Sequence, residues 1–177
     1  MGVRKLPQGQ CRYTGEVFES LYHAYGNDVL RTAYYYLGEK QKAEDVCQEV
    51  FIRLLTYGGD IAEGKERAWL LKVTINCCRD LWRSSWVRRV VLGAPQMELI
   101  ADPSDPIARR EESEMLSKAI GNLAPQFRET VLLYYYDNLT IQEIAEVLNI
   151  SAGTVASRLA RGRSKLEAAL KEEEAGA

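Results

Sequence analysis

The sequence predicts an all-α protein built from two small helical domains joined by a linker. Three observations carry this. Apolar residues recur at helical spacing through most of the 177 residues, and no stretch alternates in the manner of a strand. Three of the five prolines, Pro95, Pro103 and Pro106, fall in one short segment, which marks a linker. Residues 140–166, TIQEIAEVLNISAGTVASRLARGRSKL, read as two helices separated by a tight turn. A composition of 46% hydrophobic and 27% charged residues is that of a soluble globular chain, and its length suffices for one or two small domains with real cores.

In chain order, residues 1–13 form an N-terminal arm and residues 14–89 the first domain. Val17, Phe18, Leu21, Tyr22 and Tyr25 make one apolar stripe, and Val29, Leu30, Ala33, Tyr34 and Leu37 make another. Gly26, Asn27 and Asp28 are expected to break the helix between them, and Gly38 to end the second. Over residues 41–57, Ala43, Val46, Cys47, Val50, Leu54 and Tyr57 form a regular buried stripe, opposite a polar face of Glu44, Asp45, Gln48, Glu49 and Arg53. Gly58 and Gly59 stop this helix, and a loop runs to Gly64.

The next helix, predicted over residues 65–83 or slightly beyond, has two faces. Leu70, Val73, Cys77 and Leu81 are apolar at helical spacing, while Lys72, Asn76, Arg79 and Arg83 stack along another side. From Lys65 to Arg89 there are seven basic residues (Lys65, Arg67, Lys72, Arg79, Arg83, Arg88, Arg89) against Glu66 and Asp80, interleaved with Trp69, Trp82 and Trp86. Cations beside aromatics suit an opened nucleic acid, whose phosphates meet charge and whose bases meet rings. Trp69 itself reads more simply as core. The triplets at 34–36 and 134–136, both Tyr-Tyr-Tyr, echo each other without a surrounding repeat and read as coincidence.

Residues 90–106 are the linker, whose apolar residues suggest that it docks on a surface. Residues 107–171 are the second domain and 172–177 an acidic tail. Asp105 is placed to cap a helix with Pro106 at its first position. Ala124 and Pro125 start another, with Phe127, Val131, Leu132 and Tyr135 inward. Thr140 and Glu143 form a capping box, and Ile141, Ile144, Ala145 and Leu148 face inward. Ser151 caps the last helix, where Val155, Leu159, Gly162 and Leu166 make one buried stripe. Residues 151–165 hold four basic side chains, Arg158, Arg161, Arg163 and Lys165, and no acidic one. A short helix, a turn and a basic second helix is the layout that sets its second helix in a DNA major groove. A helical hairpin with a solvated basic face is the plainer alternative; the caps and the segregated charge favour DNA. Because net charge is only −2, nucleic acid would be met by patches rather than by bulk charge.

Cys11, Cys47, Cys77 and Cys78 form no CxxC pair, and His23 is the only histidine, so no metal site is expected. Cys47 and Cys77 lie on apolar stripes and read as buried reduced thiols, which suit a cytoplasmic location. No signal peptide and no membrane insertion are expected. No catalytic constellation or phosphate-binding glycine loop is present, so the chain reads as no enzyme, and no cofactor is implied.

Three stretches together resemble a known family. AEDVCQEVFIRLL (43–55), AWLLKVTINCCRDLWR (68–83) and LAPQFRETVLLYYYDNLTIQEIAEVLNISAGTVASRLARGRSKLEAAL (123–170) are similar to the extracytoplasmic-function (ECF) group of bacterial sigma-70 family sigma factors. The resemblance covers most of the chain from Val17 to Leu170. It implies that the first domain is sigma region 2 and the second sigma region 4, and that the chain binds core RNA polymerase and directs promoter-specific initiation. Asp45, Gln48 and Glu49 would dock on core polymerase. Lys72, Asn76, Arg79 and Arg83 would bind the −10 element, with Asn76 near the recognised bases and the three cations on phosphates. The helix-turn-helix would bind the −35 element through Thr154, Ser157, Arg158, Arg161, Arg163 and Lys165. Partners would be core RNA polymerase, promoter DNA and, as in many relatives, a cognate anti-sigma factor. Ala156 and Ala160 depart from the larger or polar residues of many relatives, so base readout falls on Ser157 and Arg161. A stand-alone helix-turn-helix regulator is the alternative, and it leaves the acidic helix and the Asn-bearing basic helix without a role.

Overall fold

The computed structural model describes residues 13–92 and 111–176. The first unit consists of α1 (Glu16–Leu37), α2 (Lys40–Thr56) and α3 (Glu66–Leu92). The second consists of α4 (Glu111–Asn122), α5 (Pro125–Val131), a π-helical turn (Leu132–Tyr136), α6 (Ile141–Leu148) and α7 (Ala152–Gly176). No strand occurs among the described residues.

Helix α1 does not break at Gly26, Asn27 and Asp28 but runs straight through them. An interior glycine costs a helix only about 1 kcal/mol relative to alanine. Packing of α1 on both α2 and α3 outweighs that. The helix ends where expected, at Gly38, which adopts a left-handed φ of 69° and donates its N–H to the Tyr34 carbonyl. At the other end Val17 and Tyr22, predicted to face inward, are exposed, whereas Phe51 of α2 is buried with its ring edge-on to Tyr22 at 4.9 Å.

Tyr13 belongs to the core and not to an arm. It is buried, and its hydroxyl accepts the Ile61 N–H at 2.7 Å. That bond pins the loop between α2 and α3, which Tyr57 also holds by packing on Trp69 at 4.9 Å. Residues 90–92, assigned to the linker, continue α3. The remaining linker, the Asp105 cap and residues 1–12 lie outside the described residues.

In the second unit Pro125 opens α5, as predicted. The chain then widens into a π turn, which is uncommon and tends to mark a functional or packed special position. The wider turn changes which side chains point inward. Tyr135, predicted inward, is exposed, and Tyr136 packs on Tyr35 of α1 with ring centroids 4.4 Å apart. The two tyrosine triplets therefore meet.

The capping box of α6 forms as read. Thr140 Oγ1 accepts the Glu143 N–H at 3.2 Å, and Glu143 accepts the Thr140 N–H at 2.9 Å. These bonds hold the Glu143 carboxyl below its usual range. Asn149 ends the helix at a left-handed φ of 55°, and Ser151 Oγ accepts the Thr154 N–H at 3.1 Å. Ile144 and Leu148 are buried, but Ile141, predicted inward, is exposed at the first position of α6.

The stripe on α7 has a physical reason for its glycine. A Cβ at Gly162 would lie 2.9 Å from Val131 Cγ2 and 3.6 Å from Phe127 Cβ, so α7 approaches α5 too closely for any side chain. Val131 is β-branched and has little rotamer freedom with which to yield. Gly162→Ala should therefore lower stability by about 1–3 kcal/mol despite its better helix propensity. Gly162→Ala combined with Val131→Ala should lie above the sum of the two single variants in thermal melts. Additive losses would show that the close approach is not the cause.

The two units pack against each other along a seam lined by α1 and α3 on one side and by α4, the π turn and α6 on the other, with α5 joined to it through Arg128 and Glu129. Apolar residues of both units form one continuous cluster that includes Val29, Tyr36, Ile75, Leu132, Leu133 and Ile144. A smaller cluster of Leu123, Phe127 and Val131 lies under α7. Near one end of the seam sits Asp137, buried at the close of the π turn. Thr32 Oγ1 donates to its two carboxylate oxygens at 3.1 and 3.0 Å. Arg67 donates to its backbone carbonyl at 2.7 Å and lies 3.7 Å from its carboxylate, while also holding Asp28 at 2.8 Å.

Burial pushes the Asp137 carboxyl up to about 7, against the opposing pull of Thr32 and Arg67. A carboxyl whose pKa is raised on packing contributes stability that is complete below its ordinary value of 3.8 and is lost as pH rises through about 7. The protein should therefore be weaker at pH 8 than at pH 6 in urea unfolding, by about 1 kcal/mol. Asp137→Asn should flatten that difference. An equal slope in the variant would place the titration elsewhere.

Candidate nucleic-acid interface

Helix α7 is positioned by the stripe that packs it on α5 and α6, so its other side must face solvent. Ser157, Arg161, Arg163 and Lys165 are exposed there, as are Ala156 and Ala160. Arg158 and Thr154 are half-buried. Thr154 takes part in the helix start, with its hydroxyl 2.8 Å from Ser151 Oγ. Lys165 lies 6.0 Å from the centroid of the Phe127 ring, within reach of a cation–π contact. Together these residues make a cationic ridge with small side chains at its centre, a shape that can approach a groove closely and grip phosphates at its edges.

A second cluster lies on α3. Lys72, Asn76 and Arg83 are exposed, and Trp82 is half-buried beside them. Trp69 packs into the apolar cluster, as the simpler reading had it. Arg79 is different. Its Nε and Nη2 donate to the two carboxylate oxygens of Glu129 on α5, at 2.7 and 2.6 Å, across the seam. Its Nη1 also donates to Asn76 Oδ1 at 3.4 Å. The four residues of this cluster thus share one helix, but one of them is engaged with the second unit.

The third cluster, Asp45, Gln48 and Glu49 on α2, is exposed opposite the buried Ala43, Val46, Val50 and Leu54. Glu49 accepts from Arg53 at 2.7 Å, an i,i+4 pair in which both partners are nearly half exposed. Such pairs contribute little to stability, so the face remains available for docking. Each cluster occupies its own helix, and they do not converge on one pocket.

The seam residues Tyr36, Glu129 and Arg128 were not picked out from sequence. Glu129 is buried and also accepts the Tyr36 hydroxyl at 3.0 Å. Burial and then the neighbouring Glu129 carboxylate push the Tyr36 phenol far above its usual value, so it stays a donor. Arg128, equally buried, donates to the Tyr36 carbonyl at the end of α1 and to the Gly121 and Leu123 carbonyls at the end of α4. A cation on the free carbonyls of helix C-termini is favourable. The sequence signal for this set was two adjacent charged residues, Arg128 and Glu129, between the apolar Phe127 and Val131.

Cys77 and Cys78 are buried and Cys47 is half-buried, and burial raises all three thiols, which disfavours the reactive thiolate. Among the described residues no group of three or more His, Cys, Asp or Glu side chains is gathered in a way that could hold a metal ion. Among the described residues no helix is long and apolar enough to cross a membrane.

Comparison with known proteins matches this layout. The family model for Sigma-70 region 2 matches residues 21–88, and that for Sigma-70, region 4 matches residues 113–166. The ECF RNA polymerase sigma factor SigW of Bacillus subtilis is 29% identical over 169 residues, covering 89% of this chain and 90% of that protein. The RNA polymerase sigma-E factor of Streptomyces coelicolor is 30% identical over 158 residues, covering 86% of each. Among solved structures, the sigma factor RpoE in complex with the anti-sigma factor NepR from Bartonella quintana superposes with a TM-score of 0.77 at 19% identity, covering 89% of this chain and 98% of that one.

Proposed function

The chain belongs to the ECF group of the sigma-70 family, and on that premise we propose a division of labour among its residues. As a sigma factor it binds core RNA polymerase and directs initiation at promoters; its family comprises DNA-directing regulatory proteins. The observation that carries this reading is the order of the two matches, region 2 over 21–88 followed by region 4 over 113–166. A stand-alone helix-turn-helix regulator has need of the second only.

In our assignment Asp45, Gln48 and Glu49 on α2 dock on core polymerase. Lys72, Arg79 and Arg83 on α3 hold phosphates of the −10 element, and Asn76 reads an unstacked base beside them. On α7, Ser157 and Arg161 read the −35 element, while Arg158, Arg163 and Lys165 grip its phosphates, with Thr154 at the helix start. The chain performs no covalent chemistry of its own and needs no cofactor. It works in the cytoplasm, where polymerase and promoter are. The anti-sigma complex of the RpoE neighbour supports a further partner of the same kind, a cognate anti-sigma factor.

Run-off transcription tests the assignment directly. Purified chain plus core polymerase should give promoter-specific transcripts from a genomic library, and neither alone should do so. Tight footprints by the chain alone, with no core-dependent transcript, would establish the regulator reading instead. Asp45→Arg should weaken core binding while leaving −35 binding intact, and undiminished core binding would remove Asp45 from the docking face.

Arg161→Ala should cost about 1–3 kcal/mol at a cognate −35 site if Arg161 contacts a guanine through both nitrogens. An equal loss on scrambled DNA would reassign Arg161 to phosphate.

A further inference from the structure

We propose that Glu129 is a built-in competitor for promoter phosphates: its pair with Arg79 closes the second unit over the −10 cluster, and productive engagement of polymerase and DNA breaks that pair. The inference rests on the assignment of Arg79 to the −10 element. It concerns how that residue is withheld.

Three features of the seam carry it. The first is the geometry. Glu129 presents both carboxylate oxygens to Nε and Nη2 of Arg79, at 2.7 and 2.6 Å, the same two-pronged arrangement that a guanidinium makes with phosphate. One ligand excludes the other. The second is selectivity within the cluster: Lys72, Asn76 and Arg83 are exposed, whereas Arg79 is held by the second unit and itself donates to Asn76 at 3.4 Å. The occupied Arg79 thus also engages the group assigned to base reading. The third is the imbalance of the pair. Glu129 side chain is 3% exposed and Arg79 31%, so one partner is committed to the second unit while the other stays at the edge of the seam, reachable by a ligand from solvent. A buried ion pair is often no more stabilising than apolar residues in its place, and its best-attested use is to specify one arrangement or to switch between two.

Around Glu129, the Tyr36 hydroxyl gives a third donor at 3.0 Å, so both carboxylate oxygens are hydrogen-bonded in the closed form. When the pair opens, Tyr36 and Glu129 part as well, because they belong to different units. Closure is reported by an exposed neighbour: Lys65 Nζ of the first unit lies 3.1 Å from Glu146 Oε2 of α6. A carbodiimide joins an amine to a carboxylate at such a distance without a spacer.

The test uses the full chain. Wild-type protein treated with carbodiimide should yield a Lys65–Glu146 cross-link by peptide mass spectrometry. Glu129→Gln should lower the closed-to-open ratio on the order of tenfold, which lowers the cross-link yield and raises run-off transcription at subsaturating core polymerase. Tyr36→Phe, which removes one oxygen and keeps the ring, should act in the same direction more weakly, and it covers the case in which Glu129→Gln fails to fold. A cross-link yield unchanged in both variants overturns the proposal. So does a reduced cross-link with transcription unchanged, which leaves the sigma assignment standing. In the Glu129→Gln background, Arg79→Ala should lower promoter binding several-fold. Full promoter binding by that double variant overturns the competition by removing Arg79 from the −10 contacts. Absence of core-dependent transcription from every variant and from wild type would instead bring down the functional reading itself.

Discussion

Two adjacent ionisable residues, Arg128 and Glu129, are buried where the units meet, and the architecture depends on the partners they find there. An isolated buried charge is too costly to persist. Each therefore requires particular partners from the other unit, and both find them at the end of α1. The Tyr36 carbonyl accepts from Arg128, its hydroxyl donates to Glu129, and its ring lies 5.3 Å from the guanidinium of Arg128. One tyrosine thus fixes the direction in which α5 meets α1. Arg128 also closes the end of α4, so the orientation of α4 is tied to the same point.

What was legible in the sequence follows from how local its causes are. The cap at Thr140, the start at Ser151 and the stripe on α7 are set by residues within a few positions of one another, and all were readable. The continuity of α1 was not. The helix-weakening glycine is local, but the packing that overrides it comes from α2 and α3, as does the clasp of Asp28 by Arg67 across 39 residues. Tyr135 and Ile141 were read inward because regular spacing was extended through the π turn and onto the first residue of α6. No local pattern announces that turn. For the interface the division is the same. Exposure of Asp45, Gln48, Glu49, Ser157 and Arg161 could be read from the stripe opposite each. The tie on Arg79 joins residues 50 apart, and that between Thr32 and Asp137 joins residues 105 apart. Periodicity carries no information about such pairs.

The seam is mixed in character, which bears on what it can do. Its centre holds Leu132, Leu133 and the Tyr35–Tyr136 contact. At its edges are charged groups: Asp28, Arg67 and Asp137 in one place, Arg79 and Glu129 in another, Lys65 and Glu146 in a third. A purely apolar seam would leave a large sticky face on opening. Charged edges become hydrated when the units part, which offsets some of the lost contact and lowers the cost of separation.

The placement of the charged edges along α3 then determines how separation can proceed. Arg67 and Arg79 both lie on this helix, and twelve residues of α-helix span about 18 Å. The second unit is therefore fastened to one rigid rod at two separated points, Asp137 near its start and Glu129 further along. A single hinge at either point leaves the other fastened, so rotation about one clasp strains the second. Loss of either clasp therefore weakens the closure of the whole seam, because both act on one rigid helix. Full separation requires both clasps to open. Because the two use the same helix, a ligand that draws α3 away from the second unit acts on both at once, whereas one that binds only α7 acts on neither.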